Sequence, residues 1–324
     1  MLKDSFGRVH DYLRISLTDV CNFRCAYCMP DEAISFMPAA QLMQANEIDK
    51  IAETFVKMGV KKIRLTGGEP LVRKDVAEII HLLSKYPVEL TLTTNGSRVD
   101  DFIEVFEKAG IKSVNVSLDT LDKEKFSLIT RRNVFDKVIG NINLLITLGF
   151  HVKVNAVVMR GINDNEILDF IAWTKELPIH VRFIEFMPFA GNQWDNEKVF
   201  SYQEILDVVA AQYSYVRLKD DKNGTAKKFK LLNHAGSFAV ISTMSAPFCE
   251  NCNRMRLTAD GKMKNCLFSK GETDILSAYR NNEDITPLVE KCVIEKKEAL
   301  GGQFTTDRID ATTIENRSMI SIGG

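Results

Sequence analysis

No stretch of this sequence is both long and apolar enough to span a bilayer, and the first ten residues, with Lys3, Asp4 and Arg8, hold no apolar run of the secretory-leader kind. Nor does one charge dominate. The 42 Lys and Arg stand against 43 Asp and Glu, so nothing in the total draws the chain to nucleic acid or a membrane, although a local basic cluster can still capture a small anion. Low-complexity segments, collagen-like repeats and an evident linker are also missing. With 45% hydrophobic and 26% charged residues over 324 positions, disorder is excluded and one large core or two modest domains remain. We expect a cytoplasmic protein with no nucleic-acid and no membrane partner.

What the sequence does have is seven cysteines, unevenly placed: Cys21, Cys25 and Cys28, then Cys249, Cys252 and Cys266, then Cys292 alone. In a cytoplasmic chain of this size a disulfide framework is not expected, and two groups of three point to two metal centres. Cys292 falls in a helical-looking stretch from Ile285 to Leu300 and reads as a part-buried thiol acting as a small hydrophobe.

From Tyr12 to about Ala211 short β-branched runs alternate with helical periodicity, the pattern of βα units around a parallel sheet. Strands are expected at Tyr12–Thr18, Lys62–Thr66, Glu89–Thr94, Ser113–Leu118, Val152–Val158 and Val181–Phe186. Between them, Ile48, Ile51, Ala52, Phe55 and Val56 repeat at helical spacing, as do Val76, Ile79, Ile80 and Leu83. Asp75 with Glu78, and Ser201 with Glu204, have capping-box spacing. The expected class is α/β: an incomplete (βα)6 TIM-type barrel over residues 1–211, open on one side, and an α+β extension over 212–324 that packs on that side. Tyr213–Leu218, Ala226–Leu232 and Phe238–Ile241 read as an antiparallel set with a turn near Asn223 and Gly224, and the last residues, through Gly323 and Gly324, as a flexible strand.

The first cysteine group follows the first strand, at the barrel end where βα loops build active sites. Three thiolates leave a 4Fe-4S cube one ligand short, with one iron open to an outside ligand. A zinc knob completed by a distant residue is the plainer reading, but no His follows at finger spacing. The Cys-x3-Cys-x2-Cys spacing, with Tyr27 before the third cysteine, resembles the radical S-adenosylmethionine superfamily. That resemblance implies that the methionine moiety of S-adenosylmethionine chelates the open iron, and that an electron from the cluster cleaves the sulfonium to a 5'-deoxyadenosyl radical. It also implies S-adenosylmethionine contacts at Tyr27, at Gly68 in the Thr66–Pro70 segment, at Ser117 and at Met187. Each of the last three, taken alone, is an ordinary turn, strand-end or core residue.

The second group, Cys249-x2-Cys252-x13-Cys266, again leaves one iron open, and it encloses Arg254 and Arg256. Two Arg at i and i+2 on an extended segment point the same way, which suits bidentate capture of phosphate oxygens. Both spacings resemble the branch of the superfamily that cyclises GTP in molybdenum cofactor biosynthesis. So do Leu13–Ser16, Ile63–Pro70, Val152–Asn155, Phe183–Pro188, Cys252–Gly261 and the Gly323-Gly324 end. The resemblance runs from about Phe6 to the C-terminus. It implies two 4Fe-4S clusters with GTP between them, and GTP contacts at Arg14, Arg64, Thr93, Lys153, Arg254, Met255 and Arg256. Among these, Arg14, Arg254 and Arg256 are implied to be catalytic, as are Gly323 and Gly324 of a mobile tail. The implied reaction abstracts hydrogen from the ribose 3' carbon, which then attacks the imidazole carbon of guanine. An external one-electron donor, a homodimer and a downstream cyclic pyranopterin monophosphate synthase are implied partners. Two departures stand out: Ala190 where relatives carry Asp, and Arg131-Arg132 where several have Gly.

Other classes give distinct expectations. A peptide-modifying radical enzyme would carry more C-terminal cysteines, and a zinc or iron-sulfur binding module would not cleave S-adenosylmethionine. A simple electron carrier does not account for a barrel of this size.

Overall fold

The computed structural model describes residues 1–30, 35–303 and 314–323. Six parallel strands form its centre, linked by helices: β1 (Tyr12–Ser16), α1 (Ala45–Lys57), β2 (Lys62–Thr66), α2 (Val76–Leu83), β3 (Glu89–Thr94) and α3 (Ile103–Lys108). There follow β4 (Ser113–Ser117), α4 (Lys123–Thr130), α5 (Phe135–Thr147), β5 (His151–Val158), α6 (Ile167–Trp173) and β6 (His180–Glu185), with α7 (Tyr202–Ala210) closing the series. Strands alternate their side chains. One face, with Leu13, Ile15, Ile63, Leu65, Leu92, Val114 and Val152, is sealed against the helices. The other carries Arg14, Arg64, Asn115, Lys153 and Arg182. A sheet of this chemistry has its core on one side and a site on the other.

The helices were legible from their periodicity. Ile48, Ile51, Ala52 and Phe55 of α1 and Val76, Ile79, Ile80 and Leu83 of α2 are all buried. The Ser201–Glu204 capping box forms at α7. At α2 it does not: Arg73 takes the Asp75 carboxylate through Nε at 2.7 Å and Nη2 at 3.0 Å, a charged fork that outcompetes a neutral helix amide. An unanticipated box joins Gln44 to Glu47 at the start of α1.

Beyond residue 211 come β7 (Tyr215–Arg217), β8 (Lys227–Leu231) and β9 (Ser237–Ile241), then β10 (Arg254–Leu257), β11 (Lys262–Lys264) and β12 (Thr273–Asp274). The expected antiparallel set β7-β8-β9 is present. β9, however, also pairs parallel with β6, and β10 pairs parallel with β1. Among the described residues the result is one continuous sheet in the order β12-β11-β10-β1-β2-β3-β4-β5-β6-β9-β8-β7. Among the described residues neither outer strand of the parallel six is left as an open edge, since β10 covers β1 and β9 covers β6. The chain ends with α8 (Ile275–Arg280), α9 (Thr286–Ile294), where Cys292 is buried, and α10 (Met319–Ile322). The last is a correction: residues expected as a flexible strand form one helical turn, because Ile320 and Ile322 have apolar surface to bury. Among the described residues no helix is long and apolar enough to cross a membrane.

Candidate active site

Cys21, Cys25 and Cys28 lie on the loop after β1, which two backbone bonds fasten to the end of α4: Arg24 N–H to Thr130 at 3.0 Å and Ala26 N–H to Ile129 at 2.8 Å. Arg132 adds a bond from Nε to the Asn22 carbonyl at 2.6 Å, so the Arg-Arg departure fastens the cysteine loop. Gly68 is required for a reason other than ligand approach. A Cβ there would stand 2.6 Å from the carbonyls of both Asp19 and Val20, so the glycine lets the loop after β2 lie against the cysteine loop. Burial pushes the Cys21 thiol up to about 11 and Cys28 to about 12, with Glu69 and Cys21 respectively the next largest influence. Cys25 is raised well above the ordinary thiol range, by burial and then by Asp119 and the other two sulfurs. Thiols packed this way do not ionise by themselves; metal binding is what would hold them as thiolates.

The second triplet begins on a turn in which Cys252 N–H donates to the Cys249 carbonyl at 3.1 Å. Burial raises Cys249, whereas at Cys252 the burial effect is outweighed by Arg254 and Lys296, which bring the thiol down to about 6. Among the described residues no three His, Cys, Asp or Glu side chains gather closely enough for a single metal ion. The case for clusters therefore rests on the two thiol triplets themselves.

On the face of the sheet away from the helices lies a row of guanidinium groups. Arg14 sits directly across from Arg64 on β2 and directly across from Arg256 on β10, so three cationic side chains stand abreast on neighbouring strands. Lys153 is paired with Asn115, and Arg182 with Asn155, farther round the same face. These cations line a cavity of about 880 Å³ that reaches Cys249, Cys252 and Cys266, with Glu89 and Asp221 the acidic residues on its wall among those described. Burial lowers Arg182 to about 9, Arg256 to about 10 and Lys153 to about 8, and in each case a neighbouring arginine is the next largest influence. Nε and Nη2 of Arg182 are buried with no acceptor among the described residues. Such a wall is costly without a counter-charge, and a polyanion supplies one.

Comparisons with known proteins agree with this chemistry. The family model of the Radical SAM superfamily matches residues 15–174, and that of Molybdenum Cofactor Synthesis C matches residues 179–301. The chain is 46% identical to the mitochondrial GTP 3',8-cyclase of Arabidopsis thaliana, covering 100% of this chain and 84% of that protein. It is 40% identical to the GTP 3',8-cyclase of Listeria monocytogenes, covering 100% and 99%. The chain belongs to the GTP 3',8-cyclase family. It spans about half the length of the animal relatives it matches. The fold is shared with SuiB of Streptococcus suis bound to S-adenosylmethionine, with a TM-score of 0.62 at 15% identity over 90% of this chain and 69% of that one. Membership in the superfamily brings an iron-sulfur cluster and S-adenosylmethionine to this chain.

Within this GTP 3',8-cyclase family member, Arg14, Arg64, Lys153, Arg254, Arg256 and Met187 all line the cavity. Thr93 stands behind Arg64, accepting from Nη1 at 3.3 Å. Met255, on the opposite face of β10 from its two arginine neighbours, is fully buried in the core, and its side chain is turned away from the cavity. Tyr27 donates its hydroxyl to Asp119 at 2.9 Å, and Ser117 sits across from Asn155. Gly323 reaches the centre: its carbonyl accepts from Arg256, and a Cβ there would meet Thr66 Oγ1 at 2.5 Å. Its φ of +85° suits glycine. The neighbouring Ile320 amide donates to the Cys28 sulfur. Gly324 lies outside the described residues.

Several residues escaped sequence reasoning. Arg182 shares the face of His180 and Ile184 at period two, a signal the strand pattern contained. Glu69 and Glu185 fell inside the matched segments Ile63–Pro70 and Phe183–Pro188 without a role of their own. Glu69 accepts from Thr94, Asn95 and Leu71 and binds the loop after β2 to the end of β3, and burial lifts its carboxyl to about 7. Glu185 accepts from the amides of Tyr202, Met244 and Ser245, bonds made between segments far apart in sequence.

Proposed function

We propose that this chain converts GTP to (8S)-3',8-cyclo-7,8-dihydroguanosine 5'-triphosphate, the first step of molybdenum cofactor biosynthesis, with 5'-deoxyadenosine and methionine as co-products. The observation that carries the reading is the Arg64-Arg14-Arg256 row, which opens on a cavity ending at Cys249, Cys252 and Cys266. In this reading Cys21, Cys25 and Cys28 hold one 4Fe-4S cluster, and Cys249, Cys252 and Cys266 hold a second. The clusters and S-adenosylmethionine, when bound, supply one-electron sulfonium cleavage and thereby hydrogen abstraction from the ribose 3' carbon.

The chain's own residues bind, orient and exclude water. Arg14, Arg64, Lys153, Arg182, Arg254 and Arg256 receive the triphosphate in charged hydrogen bonds, each contributing roughly 1.5–3 kcal/mol. The wall of β-strands holds the ribose away from solvent, as radical chemistry requires. Tyr27, Gly68, Ser117 and Met187 are assigned to S-adenosylmethionine, Thr93 and the Met255 backbone to GTP, and Gly323 with Gly324 to a tail that completes the site beside Arg256. The six βα units act as an incomplete barrel over residues 1–211 whose open side residues 212–324 close, a reading that β9 and β10 support by bonding to its outer strands. A homodimer, an external one-electron donor and a cyclic pyranopterin monophosphate synthase that takes the product onward belong to the same proposal.

Anaerobic reconstitution with iron and sulfide, followed by incubation with S-adenosylmethionine, a reductant and GTP, tests it. An isomer-mass dihydro product of GTP should form together with 5'-deoxyadenosine. Release of 5'-deoxyadenosine with GTP recovered unchanged would refute the assignment.

A further inference from the structure

Lys296, just past α9, is 3% exposed, yet its ammonium has no carboxylate partner among the described residues. Its two hydrogen bonds run to the sulfur of Cys252 at 3.4 Å and to the Arg254 carbonyl at 3.1 Å. The Asp4 carboxylate of the N-terminal segment is engaged by Arg8 at 2.6 Å and His10 at 3.0 Å. A buried cation hydrogen-bonded to a cluster-ligand sulfur is stabilised by negative charge gathered on that sulfur.

The surrounding backbone is built to hold it there. Arg8 donates to the carbonyls of Cys249 at 2.9 Å, Lys297 at 2.9 Å and Glu298 at 2.6 Å, strapping the N-terminal segment across both the second cysteine turn and the residues after α9. The Leu300 amide donates to the Cys249 sulfur at 3.4 Å, so the short segment from Lys296 to Leu300 directs two donors at two cysteine sulfurs. Arg254 also bears on Cys252, and in addition lines the cavity and stacks over Phe248. Lys296 does not line the cavity; its ammonium meets the Cys252 sulfur and the Arg254 carbonyl.

We propose that Lys296 is a positioning residue for the second cluster, its buried ammonium serving as internal counter-ion at Cys252 and making that cluster easier to reduce. The inference rests on the two-cluster reading above. Adding an electron adds negative charge, and a fixed cation hydrogen-bonded to a ligand sulfur stabilises the reduced form.

The test uses anaerobically reconstituted full-length protein, iron counting and a redox titration followed by electron paramagnetic resonance. Lys296→Met should retain wild-type iron, leave the first cluster's potential unchanged and lower that of the second. The expected size is at least about tenfold in the reduced-to-oxidised ratio at fixed poise, equivalent to about 59 mV for one electron. Lys296→Arg should restore most of the shift. A fully loaded Lys296→Met protein with a wild-type second potential would overturn the proposal. If that variant loses iron from both sites, Lys296→Gln, which keeps a donor without the charge, decides by the same titration: a lowered potential supports the counter-ion, an unchanged one refutes it. Wild-type protein with iron for a single cluster would remove the two-cluster reading itself, and the inference with it.

Discussion

Arg14, Arg64 and Arg256 are held abreast by parallel-strand register, a placement that raises the energy of the empty site and lowers that of the occupied one. Arg256→Ala should raise the apparent GTP dissociation constant by at least about tenfold, since one charged hydrogen bond contributes roughly 1.5–3 kcal/mol. Uncoupled cleavage of S-adenosylmethionine should stay measurable in that variant; unchanged GTP affinity in a calorimetric titration would remove Arg256 from the triphosphate site. Lys153 adds a pH dependence. Burial, followed by Arg182 and Arg64, depresses its ammonium to about 8. Only the protonated form attracts phosphate, and bound phosphate raises the pKa, so GTP affinity should fall as pH rises through about 8, with proton uptake on binding. Calorimetry in buffers of different ionisation heat reads that uptake, and Lys153→Arg should abolish it.

At the scale of elements, the site depends on loops pressed against one another. The carbonyls of Asp19 and Val20 leave no room for a Cβ at Gly68. Gly68→Ala should therefore displace the cysteine loop and lower iron at the first site with little change at the second, as an iron count and the cluster spectra would reveal. Glu185 is fully buried and accepts backbone amides from Tyr202 at 2.8 Å, Met244 at 2.7 Å and Ser245 at 3.0 Å. Glu185→Gln turns an amide group toward donors that need an acceptor. A loss of about 1–3 kcal/mol in a chemical denaturation curve is expected, and an unaltered midpoint would show that the contact contributes little. The failed Asp75 cap teaches the same lesson in reverse. Spacing identified a group able to cap, and a nearby arginine, whose side-chain reach spacing does not express, took it.

At the scale of the whole molecule, the cavity exists because the chain returns twice to the same sheet. β9 closes on β6, and β10, which carries Arg254 and Arg256, closes on β1, so the second cysteine triplet is delivered to the opening of a site whose other wall was laid down two hundred residues earlier. The tail makes a third return, placing Gly323 against Arg256 and Ile320 against Cys28. Removing Gly323 and Gly324 should abolish cyclised product while iron content remains at the wild-type level; a truncated protein with full turnover would show the tail to be inert.

The sequence by itself determined the six parallel strands, the helix faces and the two thiol triplets, because these are recorded in short-range spacing: period two in strands, helical periodicity between them, and cysteines a few residues apart. The arginine face of β10 was likewise visible from Arg254 and Arg256 at i and i+2. Only the tertiary structure decided that Arg14 stands beside Arg256, that Lys296 meets Cys252 and that Glu185 anchors three distant amides. Those contacts join residues whose separation along the chain leaves no periodic trace. They are set by strand order and register, which follow from burying one face of every strand at once.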